Sequence, residues 1–224
     1  MTHPQAQELN DGLQALGLAL EQDTVDRLLA YMDLIAKWNK VYNLTSVRLP
    51  ADMLRQHLLD SLAVVPALRR YWQAQPGGAQ PVSDYPLRLL DVGSGGGLPG
   101  VVIALCEPGW QVTCVDTVGK KTAFIQQVAA TLRMPGLRAV NARVETLKGG
   151  DFDVVCSRAF ASLADFTAWS GAALAPGGVW LAMKGKRPDA ELLALPPEIT
   201  LFHVEQLAVP GLDAERCLLW LRRG

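Results

Sequence analysis

The stretch Leu89–Leu105, LLDVGSGGGLPGVVIAL, decides how this chain is read. Arg88–Val92 is short and mostly apolar, as a parallel strand covered on both faces should be. Gly93, Gly95, Gly96, Gly97 and Gly100 then fall within eight residues. A residue without a Cβ permits positive φ and lets a ligand approach the backbone closely. Pro99 suits the first turn of a helix, because the amide it lacks would be unpaired there anyway. The other amides of that turn would face whatever lies over it. Strand, glycine turn and helix start together imply a nucleotide-like cofactor site.

The glycines spell two patterns. Gly93, Gly95 and Gly97 read G-x-G-x-G after Asp91, as in S-adenosylmethionine (SAM) methyltransferases, while Gly95, Gly97 and Gly100 read G-x-G-x-x-G, the dinucleotide fingerprint. The next strand, 110–115, ends at Asp116, a little over 20 residues beyond the first glycine. An acid at that tip can accept hydrogen bonds from both hydroxyls of an adenosine ribose. Both cofactors carry that ribose, so Asp116 supports a cofactor without choosing between them.

A chain of 224 residues, 50% hydrophobic, can bury a full core and suggests one main domain with an appendage. The formal charge of −1 gives no global signal for nucleic acid, so any such contact must use a local patch. The polar start MTHPQAQELNDG is not a signal peptide. No apolar run reaches the roughly 18 residues that a membrane span needs. Cys106, Cys114, Cys156 and Cys217 form no C-x-x-C pair and read as buried, reduced thiols of a cytoplasmic protein.

Residues 1–70 read as an N-terminal helical extension. Leu9, Leu13, Leu16 and Leu20 recur at helical spacing, as do Val25, Leu28, Leu29, Met32 and Ile35; a third helix follows Pro50 with Met53, Leu54, Leu58, Leu62 and Val65 on one face. The first 26 residues hold five acids and no Lys or Arg, whereas residues 27–72 hold seven Lys or Arg against three acids. Such an asymmetry marks either a partner-facing side or a solvated face. Residues 71–86, rich in proline and glycine, read as a linker. From 87 to 224 strands are expected near 88–92, 110–115, 137–140, 152–156, 178–184, 199–206 and 215–221, with helices near 99–106, 119–133 and 162–174. That alternation predicts an α/β fold with a doubly wound, mostly parallel, seven-stranded sheet. The short gap holding Pro210-Gly211 predicts a terminal hairpin. Seven strands closing in a hairpin follow the methyltransferase plan. A dehydrogenase would more often need a separate substrate domain, for which no length remains.

Over almost its whole length the chain resembles the bacterial 16S rRNA guanine-N7 methyltransferases, the glucose-inhibited division protein B family. The matching segments are KWNKVYNLTSVR (Lys37–Arg48), HLLDSL (His57–Leu62), LLDVGSGGGLPG (Leu89–Gly100), VDTVGKK (Val115–Lys121), ARVE (Ala142–Glu145) and SRAFASL (Ser157–Leu163). The resemblance implies SAM as cofactor and 16S rRNA or the small ribosomal subunit as partner. It also implies that Gly93 and Leu98 line the amino-acid and sulfonium side of SAM, that Val144 and Glu145 bracket the adenine, and that Arg158 reaches the SAM site. A monomer without membrane association is expected.

Methylation of guanine N7 needs no general base, because N7 has a free lone pair and loses no proton; positioning and electrostatics carry the reaction. The strand-4 tip, Ser157-Arg158-Ala159-Phe160, lacks the Asn/Asp-Pro-Pro-aromatic motif of exocyclic amine methylation, and Cys156 reads as a core thiol. His57 is either a packing residue or an RNA contact, and Phe160 either core or a stacking surface. Lys184, Lys186 and Arg187 are the first candidates for phosphate contacts, with Arg48 and Arg55 next. Two other classes remain open at this point: a nicotinamide-dependent oxidoreductase, and a non-catalytic RNA-binding module with a relic pocket.

Overall fold

The computed structural model describes residues 3–75, 86–160 and 162–224. Strand β1 (Arg88–Val92) is buried from its second residue onward. It pairs in parallel with β2 (Gln111–Asp116) on one side and β4 (Phe152–Arg158) on the other, so that Leu89 lies level with Val112 and Val154. With β3 (Leu137–Asn141), β5 (Leu174–Lys184), β6 (Ile199–Leu207) and β7 (Arg216–Arg223), the sheet runs β3-β2-β1-β4-β5-β7-β6. The pairs β5·β7 and β6·β7 are antiparallel, which is the expected terminal hairpin.

The strand order reverses at β1 and β4. The chain leaves β1 toward β2 on one side, while β4 lies on the other, so a crevice opens beyond their carboxyl ends. Ligands of open α/β sheets bind at such a switch point. The glycine loop follows β1 and Arg158 ends β4, and both therefore border that crevice.

Side chains alternate between two cores, as the pleat requires. Leu89, Val154, Cys156 and Leu181 point to one face, beneath α6 (Gly100–Cys106) and α7 (Gly119–Thr131). Leu90, Val155 and Trp180 point to the other, beneath α8 (Leu163–Ser170). The first core continues into the helices α1 (Ala6–Ala15) and α2 (Gln22–Tyr42), whose Leu9, Leu28, Tyr31 and Ile35 are at most 1% exposed. The helical extension and the sheet thus share one core.

Three expectations change in detail. The helix expected over 162–174 ends at Ser170, and β5 begins at Leu174 rather than 178. Leu174 already pairs with Phe152, ahead of Pro176, Gly177 and Gly178, and a bulge lies between Phe152 and Val154. The helix after Pro50 is not uniform. It runs as α3 (Pro50–Met53), a π-helical turn Leu54–Leu59 and α4 (Asp60–Leu62). The wider turn buries His57, Asp60 and Ser61 along with the expected leucines. Of the linker expected at 71–86, Tyr71–Gln73 belong to α5 (Val65–Gln73), while 76–85 lie outside the described residues.

Candidate active site

The loop after β1 is fixed by its neighbours rather than by bulk of its own. Gly93 donates its amide to Val115 O at 2.9 Å, and Gly97 and Leu98 turn back onto Ser94 O at 2.8 and 3.1 Å. Gly93 and Gly95 have φ of +67° and +59°, where a side chain is strained. A Cβ built on Gly93, Gly95 or Gly96 meets nothing within 4 Å, so these three border open space, whereas one on Gly97 would lie 2.3 Å from Val101 Cγ2. The loop therefore has two kinds of glycine. One kind leaves room for a ligand; the other lets the helix pack.

The amide at the helix start is not free, contrary to the expectation. Gly100 donates to Asp91 Oδ2 at 2.8 Å. A Cβ on Gly100 would come within 2.5 Å of Cys114 Sγ and 2.8 Å of that carboxylate oxygen. Asp91 is fully buried, and its Oδ1 has no partner among the described residues. Burial pushes its carboxyl up to about 7, more than the Gly100 amide and the distant Arg158 charge pull it down.

Asp116 stands at the tip of β2 as expected. Its Oδ2 accepts the Gly95 amide at 3.0 Å and its Oδ1 the Val118 amide at 2.8 Å, with Lys121 Nζ 3.7 Å from Oδ2. Each carboxylate oxygen has a second lone pair that these bonds leave open. Asp116 thus ties the glycine loop to β2 and still has acceptor capacity where it borders a cavity.

Three adjoining cavities run along the carboxyl edge of the sheet. The first, of about 450 Å³, is bordered by Gly93, Asp116, Val144, Glu145, Phe160 and Trp169. The second, of about 150 Å³, is bordered by Leu44, Gly93, Gly95, Leu98 and Arg158. The third, of about 460 Å³, lies between Gln56 and Asp60 of the extension and Arg158, Phe160 and Arg216 of the sheet. Gly93 borders the first two; His57, Arg158 and Ala159 border the last two. Ala159 has φ of +66°, a strained conformation for a residue with a side chain, at the junction itself.

The cofactor residues expected from the sequence fall around the first two cavities: Gly93, Gly95, Leu98, Asp116, Val144, Glu145 and Arg158. Val144 is buried; Glu145 is on the surface beside Arg143 at 2.8 Å. Arg158 extends toward the helices, where its Nη1 donates to Asp60 Oδ2 at 3.0 Å and to Gln56 O at 3.1 Å.

The expected phosphate contacts are more scattered. Lys184 donates to both carboxylate oxygens of Glu191, on α9 (Asp189–Leu193), at 2.9 Å, so its charge is matched within the fold. Arg55 pairs with Glu8 at 2.6 Å and Arg187 with Asp189 at 2.9 Å. Arg48 binds Asn39 O and Asn43 Oδ1 at 3.1 and 2.8 Å. Lys186 is 85% exposed at its side chain and only 3.7 Å from Glu215, the loosest of these pairs.

Sequence reasoning missed three residues. Tyr31 is fully buried and donates its hydroxyl to Gly96 O at 2.7 Å. Asp60 carries Arg158 on one oxygen and Arg216 on the other. Arg216 opens β7, far from any motif. An unbroken helical period through Asp60 puts it beside His57 without showing that it turns inward. Tyr31 sits in an apolar face, where only its hydroxyl hints at a polar partner. His57 is buried, its Nε2 meets Thr45 Oγ1 at 2.7 Å, and it borders both the second and the third cavity. Burial and then the Arg158 charge lower its pKa, which keeps the ring neutral at pH 7. All four cysteines are free and buried, and burial raises the Cys156 thiol well above its ordinary value, which removes it as a nucleophile. Among the described residues there is no cluster of potential metal ligands, and no helix is long and apolar enough to cross a membrane.

A family model described as rRNA small subunit methyltransferase G matches residues 24–219. The ribosomal RNA small subunit methyltransferase G of Polaromonas naphthalenivorans (strain CJ2) is 64% identical over 214 residues, which cover 96% of this chain and 94% of that one. Its counterpart in Acidovorax sp. (strain JS42) is 62% identical over 216 residues, covering 96% and 93%. Among solved structures, a SAM-dependent methyltransferase from Aquifex aeolicus superposes with a TM-score of 0.54 at 10% identity, over 76% of this chain and 92% of that one. That likeness bears on the fold alone. The open glycine loop, the acid at the β2 tip and the antiparallel β7 inserted between β5 and β6 define a SAM-dependent methyltransferase; a dinucleotide sheet would run 3-2-1-4-5-6. The chain belongs to the rRNA small subunit methyltransferase G family.

Proposed function

We propose that this protein transfers the methyl group of SAM to N7 of a guanosine in 16S rRNA, acting as a monomer in the cytoplasm. The observation that carries the reading is the continuity of the three cavities, which meet at Gly93 and again at His57, Arg158 and Ala159. The adenosine end of SAM fits the first cavity, between Asp116 and Val144, and its amino-acid end fits the second, beside Gly95 and Leu98. SAM supplies an electrophilic methyl carbon on sulfur, which an in-line nucleophile can displace.

The protein's own contribution is geometric. The positive-φ turns at Gly93 and Gly95, open to glycine without strain, bring backbone against the cofactor. Leu98 and Leu44 are buried apolar walls of the second cavity. The third cavity is where an acceptor would enter, over the carboxyl ends of β4 and β5. N7 of guanine attacks with its lone pair and releases no proton, so this acceptor asks for no general base at the junction. His57 is neutral and hydrogen-bonded to Thr45, and nothing in the reaction asks it to accept a proton. Arg48, Arg55, Lys186 and Arg187 are the cations offered to the RNA backbone, while Lys184 lines the third cavity but is matched by Glu191.

The test is methyl transfer with radiolabelled SAM to 16S rRNA and to small subunits from a strain lacking this protein. Labelled N7-methylguanosine at a single position is expected. Label on an exocyclic amine, on a ribose or on protein would replace the reading.

A further inference from the structure

Asp60 is the least exposed charged group beside the third cavity. Its carboxylate is 3% exposed and both oxygens are engaged: Oδ2 by Arg158 Nη1 at 3.0 Å, Oδ1 by Arg216 Nε at 2.7 Å. The three residues come from three distant parts of the chain, the end of the π-helical turn, the end of β4 and the start of β7. Both arginines border the cavity and are about a quarter exposed, 24% and 27% at their side chains. Two positive charges and one negative leave the cluster with one net positive charge. Among the described residues Arg158 uses only Nη1, toward Asp60 and Gln56 O, and Arg216 uses Nε and Nη1, the latter toward Glu215 O. A guanidinium has five N–H donors, so each arginine keeps donors for a ligand.

We propose that Asp60 is a positioning residue for methyl transfer: it fixes Arg158 and Arg216 as one wall of the acceptor cavity, where they hold a phosphate of the target nucleotide. This rests on the rRNA methyltransferase reading above. The choice of phosphate over base follows from charge. N7 becomes cationic as the methyl group arrives, and a guanidinium against the base would oppose that step. A phosphate gains from the same cations throughout, and a planar guanidinium matches its oxygens in two parallel bonds. Phe160, which borders both the first and the third cavity, leaves an apolar face for the base itself. The extension thereby sets where the nucleotide stops relative to the methyl carbon. A shift of about 1 Å at such a place can cost on the order of a hundredfold in rate.

The charge arithmetic gives the test its discriminating sign. Asp60→Asn removes a negative charge, so the cavity becomes more positive and should attract RNA at least as well as before. If Asp60 positions the arginines, the single-turnover rate at saturating SAM and rRNA fragment falls at least tenfold. RNA affinity stays equal or tightens, and SAM affinity stays within about threefold, because Gln56 O still holds Arg158. Arg216→Gln should lower RNA affinity, reduce the slope of log affinity against log salt by about one, and leave SAM affinity unchanged. A normal single-turnover rate in Asp60→Asn overturns the proposal. So does a rate loss matched by equal losses of SAM and RNA affinity, which is what a merely structural role predicts. If Asp60→Asn does not fold, Arg216→Gln decides alone: unchanged RNA affinity and salt slope overturn the proposal, and the expected change sustains it. Wild-type protein that methylates no rRNA guanine would instead defeat the underlying reading, and the wild-type control makes the two failures distinguishable.

Discussion

The hydroxyl of Tyr31, on the second helix, donates to the carbonyl of Gly96, in the middle of the glycine loop, at 2.7 Å. The donor lies in the helical extension and the acceptor in the cofactor loop, 65 residues apart. Tyr31 is fully buried against Phe124, with ring centroids 6.4 Å apart. The extension therefore holds the glycine loop through a buried hydrogen bond.

Tyr31→Phe removes only that hydroxyl and leaves the Gly96 carbonyl without it. Losing one buried hydrogen bond costs on the order of 1–2 kcal/mol. The unfolding free energy should fall by about that amount in urea titration. SAM affinity should drop severalfold, because the loop must be ordered at binding. Calorimetry showing wild-type affinity would mean that the loop is held without Tyr31.

The open side of the loop should respond differently. Gly93→Val places a branched side chain where nothing lies within 4 Å and where φ is +67°. Asp116→Ala removes the acceptor of the Gly95 and Val118 amides together with the ribose acceptor. Each should weaken SAM binding at least tenfold, about 1.4 kcal/mol or more. Circular dichroism should stay native. Gly97→Ala is the contrasting case, since its Cβ strikes Val101, and it should lower the melting temperature as well. Unchanged SAM affinity in the first two variants would remove the cofactor assignment.

Why these sites differ in legibility is a matter of range. The glycine loop, Asp116 and the seven strands were readable because each is a local pattern: a period of two, a turn needing positive φ, an acid at a strand tip. The mostly parallel sheet and its terminal hairpin followed from the alternation of elements and the short final gap, whereas the order of the strands did not. Asp60 and Arg216 were not readable, because their meaning lies in a contact across 156 residues. A π-helical turn also shifts the period on which the reading of the third helix depended, and that shift turns Asp60 inward. Lys184 looked like a free cation because Glu191, seven residues on, was not placed against it.

Lys186 and Arg187 provide the test of the proposed RNA contacts. Lys186 is largely exposed, and among the described residues the two side chains pair with exposed acids, Glu215 and Asp189. Exposed pairs of this kind contribute about 0–1 kcal/mol to stability, so reversing the charges should leave the fold intact. Lys186→Glu with Arg187→Glu should weaken rRNA binding and flatten its dependence on salt, while SAM binding stays as in the wild type. The same salt slope in variant and wild type would mean that these two cations face only water.

Asp91 makes stability depend on pH. Its carboxyl titrates near 3.8 when unfolded and is raised to about 7 in the fold, chiefly by burial. Between those values the folded chain holds a proton that the unfolded chain has lost. Stability due to this group is therefore full below the unfolded value and declines as pH rises toward 7. Asp91→Asn keeps an acceptor for the Gly100 amide but cannot ionise. The difference in unfolding free energy between wild type and Asp91→Asn should shift against the wild type from pH 5 to pH 8. Parallel curves would show that the carboxyl ionises normally despite its burial.

The methyl-transfer rate should behave in the opposite way, showing no dependence on pH between about 7 and 9 when SAM and RNA are saturating. The groups that could titrate there are all moved out of range or never used. His57, at the junction of the cavities, has its pKa lowered by burial and by the Arg158 charge, so it is already neutral at the lower end. Burial raises the thiols of Cys114 and Cys156 well above their ordinary 9.0, and it raises the Tyr31 hydroxyl well above 10.0. Asp91 is nearly fully ionised toward pH 9 and borders none of the three cavities. The acceptor itself needs no deprotonation if it is guanine N7. Single-turnover methylation measured across that range should give a level profile. A rise with unit slope would identify an acceptor that must lose its proton before attack, an exocyclic amine or a hydroxyl, and would overturn guanine N7 as the target atom.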